Sequence, residues 1–215
     1  MENNDKKSTM NKAKIRLLII VGVVFSLLLL LVLASVLIDM YESNQEPTNN
    51  EINFDFYVPD YNEDIFQNEE YIDKIAGGFI SLEKNGTTVG INRESASEYG
   101  NEVDFIVEML YDIINGDHTE YNSRFSSEYY KDHARKEKFT MQMLYDVKIS
   151  YVSEKIVDTD NGKYTEYVYT IEYRILRNNG TFRRDIGNGA RLQYLTITDK
   201  TGELRIDALV TPTYK

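Results

Sequence analysis

The run from Leu17 to Ile38, LLIIVGVVFSLLLLLVLASVLI, holds 22 residues and no charge. A helix rises about 1.5 Å per residue, so such a run reaches across roughly 30 Å, the thickness of a bilayer's hydrocarbon core. Gly22, Ser26 and Ser35 do not interrupt it, because a helix satisfies its own backbone polar groups. The sequence therefore predicts one transmembrane helix over 17–38, in contact with membrane lipid. Lys6, Lys7, Lys12, Lys14 and Arg16 precede the run, and the next basic residue after it is Lys74. Basic flanks mark the cytoplasmic side. The expected localisation is a single-pass protein of the cell membrane, with residues 1–16 as a basic cytoplasmic tail and everything after the span extracellular. A cleaved signal peptide would have an apolar region of about 7–15 residues and a small-x-small site. This run is longer, and Val36 stands where Ala34-Ser35-Val36 would need a small residue, so an uncleaved anchor is the expected form.

Composition narrows the chemistry. The 215 residues include no Cys, which removes disulfides, thiolate metal sites, Fe–S ligation, a Cys nucleophile and a lipidated Cys anchor. Two His, His118 and His133, cannot by themselves build a His-rich metal site. No GxxxxGK[ST] phosphate loop occurs, and the net charge is −11. The reading implies no cofactor, no metal and no nucleic-acid partner.

Charge also divides the exterior. Residues 39–73 hold 11 acidic and no basic residues, together with Pro47 and Pro59, and read as a self-repelling stalk. Phe54, Phe56, Tyr57 and Tyr61 interrupt that pattern and are free to dock on the domain or on a partner. Residues 74–215 carry the folded domain. Asn85-Gly86, between two short apolar runs, predicts a β-hairpin. Asn85-Gly86-Thr87 and Asn179-Gly180-Thr181 are also glycosylation sequons, but turn chemistry is the preferred reading of both. Val103, Val107, Leu110 and Ile114 recur at helical spacing within Glu102–Asn115, and Gly116 supplies a stop. Residues 119–145 suggest one or two shorter helices. The period then changes to two, with strands over Asp146–Asp158, Lys163–Arg177, Arg191–Thr198 and Leu204–Thr211. Helices followed by an antiparallel meander make an α+β plan, with one face of the sheet packed on the helices.

Val103–Asp117 (VDFIVEMLYDIINGD), Tyr121–Tyr130 (YNSRFSSEYY) and the strands from Val147 to Val210 together resemble the NTF2-like cone fold, over roughly half the chain. The expected fold is thus a transmembrane helix followed by helices packed on a curved antiparallel sheet of about four strands. With the basic tail, the span and the acidic stalk added, the architecture resembles the VirB8-like components of type IV secretion and conjugation machines. That resemblance implies a noncatalytic assembly scaffold of the bacterial envelope, contacting other envelope proteins and often self-associating into homo-oligomers. An enzymatic or ligand-binding use of the cone pocket is the alternative.

For catalysis, Asp112, Asp117, His118 and His133 are the available acids and bases, yet their positions suit capping, turns and surfaces. Lys131, Arg135, Lys136 and Lys138 read as a solvated face. Tyr167, Tyr169, Ile171, Tyr173 and Ile175 share one face of the longest strand. Either that stripe is core, or it is an aromatic docking surface. Tyr169 and Tyr173 are the expected partner-binding residues, with Arg183 and Arg184 of the Gly-rich loop beside them.

Overall fold

In the computed structural model, the described residues are 54–212, apart from Asn161 and Asn188, and they belong to one compact unit. The elements run α1 (Glu69–Ile75), β1 (Ile80–Lys84), β2 (Thr87–Ile91), α2 (Asn101–Ile114), α3 (His118–Ser123), β3 (Met143–Thr159), β4 (Gly162–Leu176), β5 (Gln193–Thr198) and β6 (Arg205–Val210). One six-stranded sheet in the order β2-β1-β3-β4-β5-β6 carries them. Neighbours are antiparallel except β1 and β3, which are parallel in the register Ile80↔Val147 to Glu83↔Ser150.

The expected fold is corrected here. The α+β class holds, but the sheet is mixed and six-stranded rather than antiparallel and about four-stranded. The Asn85-Gly86 hairpin does not stand apart: the row Ile80, Leu82 and Ile91 needs cover, and pairing β1 along β3 buries it. Among the described residues no helix is long and apolar enough to cross a membrane. Residues 17–38, on which the span was expected, lie outside the described residues.

α2 forms because its apolar positions recur every 3.6 residues. Val103, Ile106, Val107, Leu110, Ile113 and Ile114 are all buried, in one core with Tyr169, Ile171, Tyr173 and Ile175 of β4. The helix stops at Gly116, whose φ of 69° suits glycine. A Cβ there would also stand 2.8 Å from the backbone nitrogen of Met141. The Asp117 carboxylate then caps α3 by accepting from the N–H groups of Thr119 and Glu120.

The two open ends of the sheet differ. β6 is covered by the Arg124–Ser126 segment: Ile206 N–H donates to the Arg124 carbonyl at 2.9 Å, and its own carbonyl accepts from Ser126 N–H at 3.0 Å. β2 has no further strand among the described residues. Its hairpin closes on Asn85 (φ 55°) and Gly86 (φ 74°), the positive-φ pair that a two-residue turn requires. The second sequon is also turn chemistry: Asn179 Nδ2 donates to Thr140 Oγ1 at 2.7 Å, and its Oδ1 accepts from Thr181 Oγ1 at 2.7 Å.

Two further expectations change. Residues 119–145 form only α3 and a 3₁₀ turn at Tyr129–Lys131 before running extended into β3. Asn122 explains this, since its Nδ2 donates to the Lys136 carbonyl (2.8 Å) and its Oδ1 accepts from Lys136 N–H (2.9 Å). Those bonds pin an extended segment where a helix was expected. The later part of the acidic stretch is also domain, because Ile65 and Tyr71 are wholly buried and Glu69–Ile75 is helical. Phe54 and Phe56 dock on the domain itself, against Gly187 and Gly180.

The tyrosine stripe is core from Tyr169 onward, and Tyr167 is half-buried at its edge. Tyr169 and Tyr173 face α2 and α3, and the Tyr169 hydroxyl donates to Glu102 Oε1 at 3.0 Å. Tyr169→Ala should therefore cost about 3–5 kcal/mol in urea unfolding, as truncation of a core aromatic does. Tyr169→Phe should lose only about 1–2 kcal/mol, the hydroxyl's share.

Candidate functional site: the aromatic cavity beside the Arg183 loop

Three pieces enclose a cavity of about 250 Å³. α3 and the turn after it supply Tyr121, Phe125 and Tyr129. The inner face of β4–β5 supplies Tyr173 and Gln193. The loop after β4 supplies Phe182, Arg183 and Asp185. Helical spacing brings Tyr121 and Phe125 together, with ring centroids 5.1 Å apart, and Phe182 meets Tyr121 edge-on at 5.3 Å. Burial pushes the Tyr121 hydroxyl far above its ordinary pKa, and the Tyr173 hydroxyl upward as well.

Arg183 anchors the polar end and is 5% exposed. Its Nε and Nη2 donate to the two oxygens of Asp185 at 2.9 and 2.6 Å, its Nη1 donates to Gln193 Oε1 at 2.9 Å, and the guanidinium lies 5.3 Å from the Tyr173 ring centroid. Burial opposes the Arg183 charge, but the Asp185 bonds and Tyr173 outweigh it and hold its pKa above the ordinary value. Burial likewise opposes the Asp185 charge, and the same pairing wins, holding that carboxyl below its usual range. Lys136 Nζ donates to the Phe182 carbonyl at 2.8 Å, and desolvation pulls its pKa down.

Of the expected site residues, the structure brings Tyr173 and Arg183 together in this cavity. Tyr169 lies elsewhere in the core, against Glu102 and Tyr151. Arg184 is exposed and turned out of the cavity lining. Tyr121, Phe182, Asp185 and Gln193 were not singled out. Signals exist for two of them: Arg183-x-Asp185 places opposite charges two residues apart in a tight loop, and Gln193 is the polar member of the inward alternation Gln193, Leu195, Ile197. Neither His118 nor His133 lines the cavity. His133 stacks on Tyr129, with centroids 4.1 Å apart, on the exposed side. Among the described residues no three His, Asp or Glu side chains cluster as metal ligands.

Chemically, the polar end is closed on itself. Every Arg183–Asp185 donor and acceptor described above has a partner within the fold, so the pair positions the loop. Asp185→Ala should destabilise the domain by about 2–3 kcal/mol, below the about 3–5 kcal/mol of a fully enclosed pair, because Asp185 is partly exposed. The pH dependence has a definite sign. The folded pKa of Asp185 lies below its unfolded value, so its contribution is fully present above about pH 4 and is lost as pH falls through the folded value. Urea titrations between pH 3 and 7 should show a steeper acid loss in the wild type than in Asp185→Ala.

No protein-family model matches the chain, and neither a curated protein nor a solved structure gives a significant match to it.

Proposed function

We propose that this chain acts without catalysis, as an interaction module held at the outer surface of a cell membrane through the uncharged run 17–38. In that reading it is a scaffold of a bacterial envelope assembly, of the conjugation or type IV secretion kind. One observation supports it above the others: the buried carboxylates Glu102 and Asp112, and the partly exposed Asp185, are each held by an internal partner. Asp112 is raised in pKa by burial yet is held by Arg124 at 2.8 Å, Glu102 accepts from Tyr169, and Asp185 is locked on Arg183. General acid–base work needs a group free to exchange a proton with a substrate, and a pKa poised for it. What the fold leaves available is surface. On the sheet face turned away from α2, Tyr194 and Val210 pair across β5 and β6, 42% and 55% exposed. An exposed aromatic–aliphatic pair of this kind suits a protein contact.

The cavity weighs against a second reading, a binding site for a drug-sized ligand. At about 250 Å³ it lies under the range of roughly 300–1,000 Å³ usual for drug-sized ligands.

A photo-crosslinking residue placed at Thr170, the β4 neighbour of Tyr194 across the sheet, in the full chain and in intact cells, tests the scaffold. The expected result is a discrete adduct, either a second copy or an identified envelope protein, in a fraction that resists alkaline carbonate. Tyr194→Ala with Val210→Ala should abolish the adduct while leaving stability within about 1 kcal/mol, as surface substitutions do. Release of the chain by carbonate, or an adduct that persists in the double variant, would overturn the proposal.

A further inference from the structure

We propose that Phe54–Tyr57 is a releasable strap that holds the Asn178–Gly187 loop, and with it the Arg183–Asp185 end of the cavity, in its closed arrangement. The contacts are specific. The Phe56 ring lies over Gly180, where an added Cβ would be 3.0–3.2 Å from it, and the Phe54 ring lies over Gly187, where a Cβ would be 2.5 Å away. A Cβ at Gly187 would collide with its ring, and one at Gly180 would press on the other from a backbone whose φ of 72° itself favours glycine. Just after them, Tyr57 N–H donates to the Asn178 carbonyl at 3.0 Å. Asn178 is buried and organises the loop: its Nδ2 donates to the carbonyls of Arg183 (3.0 Å) and Ile186 (2.7 Å), and its Oδ1 accepts from Gly180 N–H at 2.9 Å. The residue that receives the strap thus also sets the backbone on which Arg183 and Asp185 sit.

The strap is built to come away without unfolding the domain. Both rings are only partly buried, and the residues that follow form no regular element until Ile65. Val58 is 90% exposed, and between it and Ile65 the chain touches the domain mainly at Tyr61, whose ring lies 5.3 Å from the Lys138 ammonium. Ile65 and Tyr71 are wholly buried, so peeling stops there. The eight residues Val58–Ile65 pay out roughly 27 Å when extended. Residues 1–53 precede Phe54 in the chain, so tension transmitted along the backbone from that side reaches the strap before the rest of the domain. Low-stability segments of this kind are where local opening occurs.

Amide hydrogen exchange on the full chain tests this device, and it does not depend on which partner the domain has. In Phe54→Ala/Phe56→Ala, amides of 178–187 should exchange about tenfold faster or more, while those of α2 and β4 stay within about twofold of wild type. Gly187→Ala disturbs the same contact from the opposite side, and its φ is ordinary, so it should reproduce the effect. Unchanged exchange in the loop of either variant would overturn the proposal. So would equal acceleration in α2 and β4, because the strap would then be part of the global core.

Discussion

The packing of α2 against the inner row of β4 is the contact on which the rest of this domain depends. Val103, Ile106, Val107, Leu110, Ile113 and Ile114 meet Tyr169, Ile171, Tyr173 and Ile175 with almost no residual exposure. A helix with a 3.6-residue stripe and a strand with a two-residue alternation each have one apolar face, and neither is stable until the other covers it. Tyrosine suits this contact because its ring fills the gap between layers while its hydroxyl still needs a partner. Glu102 at the start of α2 serves Tyr169, and Gln193 on β5 serves Tyr173 with a longer 3.5 Å contact. The core therefore carries its own polar register, which ties the helix to one height on the sheet.

The cavity follows from the same arrangement. The loop after β4 must cross the end of the core, and Arg183 fills the polar gap there by pairing with Asp185 and Gln193 beside Tyr173. A guanidinium at 5% exposure persists only because the hydrogen bonds described here satisfy it. Burial and pairing act in opposite directions on both members of the pair, and the geometry lets pairing prevail. The chain leading into the domain contributes to this loop as well, through two phenylalanines seated on two glycines.

Much of the local structure was legible in the residues. The Asn85-Gly86 turn, the α2 stripe, the Gly116 stop and all four long strands lie where their patterns put them, because each is decided by neighbours within a few positions. The inward face of β4 was also visible, although alternation alone left open whether it was core or surface. The site was only half legible. Tyr173 and Arg183 were singled out, but as surface contacts, whereas Tyr121 and Phe182 gave no more signal than any apolar aromatic. Their meeting depends on α3 folding back over the loop from 177 to 191, a separation of about 60 residues with no local trace.

The sequence by itself determined the turns, the helix and strand periods, the charge division and the uncharged run 17–38, since all of these are properties of short stretches. Tertiary structure decided the sheet order, the parallel pairing of β1 with β3, the burial of Tyr169, Tyr173 and Arg183, and the seating of Phe54 and Phe56. The physical reason is that these depend on which surfaces are left uncovered once the local elements exist. β1 joins β3 because its apolar row needs burial, and Arg183 goes inside because only there do Asp185, Gln193 and Tyr173 meet it together.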